Sequence, residues 1–135
     1  DKNSLVVCHD SARPFVSTSL IDEVIEKALI YGAVITAVKE SDSVKKISDG
    51  FVKETLDRSE IFRIQTPQAF SYALLEESYR KHYNTKGLTD DSSYIEKNGQ
   101  SIYVVEGAYE NIKITTKNDL IFAKALAKEE DNENW

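Results

Sequence analysis

Ala28-Leu29-Ile30-Tyr31-Gly32-Ala33-Val34-Ile35-Thr36-Ala37-Val38 decides the fold, because it joins the end of a helical pattern to an unbroken apolar run. Upstream, Leu20, Ile21, Val24, Ile25, Ala28 and Leu29 recur on one face, which predicts an amphipathic helix over 18–31. Ser17 or Thr18 can cap its start, and Gly32 suits the left-handed position after its end. The apolar run 33–38 reads as a buried strand. Further upstream, Leu5-Val6-Val7-Cys8 reads as a second, fully buried strand, with Cys8 a small core residue. Strand, helix and strand with short joints make a βαβ unit, which implies parallel strands and a right-handed crossover.

The first strand ends in His9-Asp10-Ser11-Ala12-Arg13-Pro14-Phe15. Open α/β sheets bind their ligands at the C-terminal ends of strands. There an Asp can accept from hydroxyls or help to hold a hydrated metal ion. An Arg can grip phosphate through two parallel donors. Taken alone, the run favours a buried Asp–Arg pair bracing a loop.

Downstream, Val44-Lys45-Lys46-Ile47 and 51–56 alternate loosely around Ser48-Asp49-Gly50, which predicts a β-hairpin. Its apolar content is thin for a central strand pair, so the segment 39–66 is expected to form a projecting arm or an edge hairpin that pairs with another chain. A helix is predicted over 71–83, with Ser71 as N-cap and a packed stripe of Tyr72, Leu75, Tyr79 and Tyr83. A polar loop covers 84–88. Thr89-Asp90-Asp91 opens a short helix that ends before Gly99, its acids favouring the positive end of the dipole. A strand follows at 101–105, while 112–114 is too short to classify. Thr116-Lys117-Asn118-Asp119 resembles a capping box with Asp in place of Glu. The helix it opens is expected to reach about Lys128 and to bury Leu120, Ile121, Ala123, Leu126 and Ala127. The acidic stretch 129–135 is expected to fray.

At 135 residues the chain can hold one core. Its content, 41% hydrophobic and 30% charged, is that of a globular domain. A net charge of −6 argues against non-specific nucleic-acid binding. No apolar run is long enough to span a membrane, and there is no secretory signal pattern. The single cysteine rules out an internal disulfide and fits a reducing compartment, so a cytoplasmic location is expected. The chain enters a strand almost at once, which reads as a cut through a larger protein.

No metal-ligand cluster, nucleophile triad or glycine-rich phosphate loop is visible. Three basic positions stand out. They are Arg13, then Arg58 in Thr55-Leu56-Asp57-Arg58 (followed by Arg63 and Thr66-Pro67-Gln68), and Lys113 in an apolar setting. A partly buried lysine needs an anion, which could be Asp90, Asp91 or a phosphate ligand.

Five segments occur in one order: His9 to Phe15, Thr55 to Arg58, Gln65-Thr66-Pro67-Gln68-Ala69-Phe70, Thr89-Asp90-Asp91-Ser92-Ser93, and Asn111 to Thr116. Together, from Leu5 to about Lys128, they resemble the 2-C-methyl-D-erythritol 4-phosphate cytidylyltransferase family. Ribitol 5-phosphate cytidylyltransferases share part of the pattern. The resemblance implies an α/β fold, a Rossmann-like nucleotide-diphospho-sugar transferase sheet with helices on both faces and an inserted β-arm. It implies that 1–135 is the C-terminal part of one such domain, homodimeric through the arm at about 39–66. The substrates implied are CTP and a polyol phosphate. Methylerythritol phosphate would attack the α-phosphorus of CTP and release pyrophosphate, with Mg2+ bound mainly through nucleotide phosphates.

Position by position, the resemblance gives Arg58 as the arm arginine that grips the substrate phosphate in the partner's site. Lys113 matches a lysine on the same phosphate, and Thr66 a threonine on it. Asp10 and Arg13 match the pair at the substrate's hydroxyl end. Ser43 stands where the family has threonine, which keeps the hydroxyl. The family's glycine-rich CTP loop has no match here, so the chain alone is expected to be inactive. The other readings are a polyol-phosphate relative such as the ribitol enzyme, and a non-catalytic dimerisation module of the same fold.

Overall fold

In the computed structural model, which describes residues 3–133, the chain runs from strand β1 (Leu5–Cys8) into helix α1 (Thr18–Tyr31) and strand β2 (Ala33–Lys39). The helix boundaries match the periodicity because both caps form. The Ser17 hydroxyl accepts from the Leu20 N–H at 3.2 Å. Gly32, at φ 78°, turns its own N–H onto the Ala28 carbonyl. That left-handed conformation is one glycine adopts without steric cost.

Strand β2 is buried along nearly its whole length and feeds both faces of the sheet. Val34 meets Leu20, Val24 and Ala28 of α1, together with Ala69 and Val105. On the opposite face Ala33 and Ile35 meet Phe70 and Ile95, with Leu74, Leu75 and Ile102 packed against them. The second face is covered by α2 (Tyr72–His82) and α3 (Asp91–Lys97). Helices therefore lie on both faces, as expected.

The chain enters the sheet between those parts in a way the pattern did not predict. After a hairpin of β3 (Lys45–Ser48) and β4 (Phe51–Thr55), strand β5 (Phe62–Ser71) runs antiparallel between β1 and β2. Strand β6 (Tyr103–Glu106) adds parallel to β2, so the order is β1-β5-β2-β6. β1 and β2 run in the same direction, but they are not neighbours. β1 is an edge strand, and for that reason it is only half-buried, with Val7 exposed, rather than fully buried. Strand β5 is hidden in the sequence by Pro67 and by Gln65, Thr66 and Gln68, residues that argue against a central strand. The register shift between Val34 and Thr36 accommodates it, and the Thr36 hydroxyl donates to the Pro67 carbonyl at 2.7 Å.

The hairpin forms a separate two-stranded sheet with every residue exposed. Asp49 and Gly50 both have positive φ, 53° and 81°, as a two-residue hairpin turn requires. The inserted segment is shorter than the expected 39–66, since Lys39 belongs to β2 and β5 begins at Phe62.

The tyrosine stripe on α2 does not pack as a unit. Leu75 packs against the core as expected, joined by Leu74, and Tyr79 stacks on Tyr94 at 4.2 Å, but Tyr72 and Tyr83 are exposed. The capping box at α4 (Lys117–Glu133) does form. Thr116 N–H donates to Asp119 Oδ2 at 2.7 Å, and Asp119 N–H donates back to the Thr116 hydroxyl at 3.2 Å. The helix continues through Glu133 where fraying was expected, and 134–135 lie outside the described residues. Ala123 is buried and Leu126 half-buried, but Leu120, Ile121 and Ala127 are exposed, because little of the described chain lies against α4. Among the described residues no helix is long and apolar enough to cross a membrane.

Phe70 is fully buried at the junction of β5 with α2 and α3. Phe70→Ala should lower unfolding free energy by about 3–5 kcal/mol in denaturant titration. A loss under about 1 kcal/mol would contradict its central place.

Candidate functional site

The C-terminal end of β1, the middle of β5, the start of α3 and the loop 111–116 enclose a cleft of about 630 Å3. Asp10, Arg13, Thr66 and Lys113 all line it. Four of the six residues singled out by the resemblance thus converge from distant parts of the chain.

Lys113 is placed by its backbone. Ile114 N–H donates to the Ala12 carbonyl at 2.9 Å. The buried Asn111 donates through Nδ2 to the Thr66 carbonyl at 2.8 Å, and its own carbonyl accepts from Arg13 Nη1 at 2.7 Å. Gln65 Nε2 donates to the Ala108 carbonyl at 2.8 Å. Gly107 permits this approach, since a Cβ there would lie 2.4 Å from Gln65 Oε1.

The Lys113 ammonium sits 3.0 Å from Asp10 Oδ2 and is half exposed. Its partner is therefore Asp10, not Asp90 or Asp91, and the partly buried lysine expected from its apolar neighbours is open to the cleft. The same Asp10 oxygen meets Arg13 Nε at 3.4 Å. Lys113 first, with Arg13 adding to it, holds the Asp10 carboxyl below the usual range against the opposing effect of burial. Arg13 is a different kind of cation. Only 10% of its side chain is exposed, and its donors also go to the Asn111 and Ile64 carbonyls.

His9 and Thr66 complete this wall. Asp10 N–H donates to the Thr66 hydroxyl at 3.0 Å, which lies 3.0 Å from His9 Nδ1. His9 Nε2 is 3.0 Å from the Arg13 carbonyl. A proton on Nε2, with Thr66 donating to Nδ1, satisfies all three contacts. His9 is thus a brace for Thr66 and the Asp10–Arg13 turn.

The opposite wall is acidic. Burial raises the Asp90 carboxyl, but hydrogen bonds from Ser93, Gln68 and Ser92 outweigh it, so the group is held below its usual range. The Ser93 backbone N–H, donating to Asp90 Oδ1 at 3.0 Å, also caps α3. Asp91 accepts from the Tyr79 hydroxyl, which together with burial pushes that phenol upward. Cys8 lies in this wall, not in the core. Burial, then Asp91, pushes its thiol up to about 11, so it is no nucleophile at neutral pH.

Arg58 and Ser43 do not line the cleft. Arg58 lies in a 3-10 turn (Arg58–Glu60) between β4 and β5, exposed, with Nη1 donating to the Ser41 carbonyl at 3.0 Å. Ser43 is exposed in the loop before β3. Conversely, the pattern gave no structural task to Gln65, Gln68 or Asn111 and took His9 for a strand-end residue. The legible signal was the polar run 65–68 itself, since buried polar side chains must find partners.

The family model for IspD, 2-C-methyl-D-erythritol 4-phosphate cytidylyltransferase, matches residues 1–129. The enzyme of that name from Bacillus velezensis is 46% identical over 132 residues, covering 96% of this chain and 57% of its own length. That from Bacillus thuringiensis is 47% identical over 122 residues, covering 90% and 54%. Among solved structures, 4-diphosphocytidyl-2C-methyl-D-erythritol synthase from Anaerococcus prevotii superposes with a TM-score of 0.84 at 42% identity, over 92% of this chain and 56% of that one. The Thermus thermophilus cytidylyltransferase gives 0.83 at 34% identity, over 92% and 62%. The chain thus spans about half the length of the curated relatives it matches.

Because Cys8 is the only cysteine, its ionisation can be followed by the pH dependence of its alkylation by iodoacetamide, which reacts with the thiolate. The midpoint should fall near 11. Asp91→Asn should move it down, because a neighbouring negative charge disfavours the thiolate. An unchanged or raised midpoint would separate the two groups.

Proposed function

This chain belongs to the 2-C-methyl-D-erythritol 4-phosphate cytidylyltransferase family, and on that premise we propose that its protein transfers a cytidylyl group from CTP to 2-C-methyl-D-erythritol 4-phosphate and releases pyrophosphate. The observation that carries this reading is the Lys113–Asp10 pair at the end of β1, a cation and a carboxylate side by side in a polar cleft. An acceptor phosphate needs the first and a polyol hydroxyl the second.

The chemistry asks for placement and charge neutralisation rather than a covalent nucleophile. An acceptor phosphate oxygen attacks the α-phosphorus of CTP, and the bond to pyrophosphate breaks. Lys113 holds the acceptor phosphate near the reacting centre. Thr66, at the cleft wall, lies beside the same phosphate. Asp10 accepts from the acceptor's hydroxyls, and Arg13 holds Asp10 in place. Mg2+ would travel on the nucleotide phosphates and neutralise charge there. Asp10 fits a supporting role towards it, since both of its ion pairs with described residues use Oδ2 and none uses Oδ1, and Mg2+ sites use few carboxylates. Among the described residues no cluster of three metal-ligating side chains exists.

Arg58 and Ser43 act on the cleft of a second subunit. Their exposure at the base of a free-standing hairpin supports this, as do Ile47, Phe51 and Val52, all exposed on that hairpin. The protein is thus a homodimer joined through its arms. A cytoplasmic location fits the single free cysteine.

The test is pyrophosphate release by the protein at its natural length, with CTP, Mg2+ and either methylerythritol 4-phosphate or ribitol 5-phosphate. Turnover of the first is expected. Turnover of ribitol phosphate alone would move the acceptor, and silence with both would favour a non-catalytic relative. Arg58→Ala and Lys113→Ala should each reduce kcat/KM by roughly 10- to 150-fold, the loss of a charge-assisted contact worth about 1.5–3 kcal/mol. Near-normal activity in both would remove the assigned roles. In mixed dimers of the two variants, one restored site is expected, because Arg58 and Lys113 then come from different subunits.

A further inference from the structure

Arg63 lies on β5 beside a second recess of about 310 Å3, between that strand and residues 109–113. This recess and the main cleft share a wall made of Arg13, Ile64, Gln65 and Lys113. Lys113 therefore faces both spaces, and Arg63 lines the second with it.

The guanidinium of Arg63 is held at two points and otherwise uncommitted. Its Nε lies 3.6 Å from Glu40 Oε2, and its centre sits 5.8 Å from the Tyr109 ring centroid. The Tyr109 hydroxyl donates to the Lys39 carbonyl at 2.9 Å, which fixes that ring. Neither Nη group of Arg63 makes a hydrogen bond to a described residue, and just over half of the side chain is exposed. A guanidinium with both outer nitrogens free and an aromatic ring beside it can offer paired donors to a phosphate's oxygens. Three cations, Arg13, Arg63 and Lys113, line the recess against one carboxylate, Asp119. That carboxylate caps α4, accepting from both Thr115 and Thr116. Glu40 and Asp10 stand behind Arg63 and Lys113 as their ion-pair partners.

We propose that Arg63 is an additional ligand of the acceptor's phosphate monoester, taking it together with Lys113 at the mouth of this recess. The proposal rests on the cytidylyl-transfer reading. It assigns Arg63 to affinity for the phosphorylated end of the acceptor, and neither CTP binding nor the chemical step depends on it.

The experiment uses the protein at its natural length and two readouts, steady-state turnover and calorimetric titration with inorganic phosphate. Arg63→Ala should raise KM for the acceptor about tenfold, the loss of one charge-assisted hydrogen bond. The KM for CTP and kcat should stay within about twofold, as for an ordinary surface substitution. Arg63→Lys should recover part of the loss. Glu40→Gln, which removes only the ion pair, should leave the acceptor KM unchanged or lower it. Phosphate binding should weaken in Arg63→Ala and persist in Glu40→Gln.

An acceptor KM unmoved by Arg63→Ala overturns the proposal, as does a Glu40→Gln variant that reproduces the loss. Absence of turnover in the unsubstituted protein, with phosphate binding still dependent on Arg63, overturns the catalytic reading and leaves the anion site standing. Absence of both overturns the two together.

Discussion

Strand β5 carries polar side chains into the middle of the sheet, and much of the molecule is arranged around satisfying them. An unpaired buried amide or hydroxyl costs a substantial share of a domain's net stability. Gln65 reaches the Ala108 carbonyl, Asn111 reaches back to Thr66, and Gln68 binds Asp90. Thr66 takes Asp10 and His9. Each of these bonds ties a loop to the strand, and those loops carry the residues that line the cleft. Satisfying the strand and building the site are one event.

The cations divide by how their donors are employed. Arg13 is nearly buried and gives its hydrogen bonds to two backbone carbonyls and Asp10. Moving it towards a ligand would leave those acceptors bare, so its work is to hold the wall. Lys113 makes one contact, to Asp10, and remains half exposed. An ammonium has three donors, so it can keep Asp10 and still meet a phosphate. Two cations that are neighbours in space thus differ in how many of their donors are committed, and burial decides which is spent.

The arm gives the fold its asymmetry. It consists of two short strands and a two-residue turn, and such an isolated hairpin is marginal in water. Exposed Phe51 and Val52 on such an element are more economically placed against another surface than against solvent. Arg58 stands at the base of this element and outside the cleft of its own chain.

What the sequence determined by itself is local. The bounds of α1, its Ser17 and Gly32 caps, the Asp49-Gly50 turn and the Thr116–Asp119 box were legible because each depends on residues within a few positions of one another. The ordered motifs carried the family for the same reason, since they are strings. The tertiary structure alone decided that β5 separates β1 from β2, that Cys8 faces the cleft and that Lys113 pairs with Asp10. It alone decided that Arg13 is spent on a carbonyl 98 positions away. These outcomes follow from hydrogen-bond satisfaction across the sheet, where the competing partners are distant in sequence. No periodicity records that competition, because it is settled only when the strands are side by side.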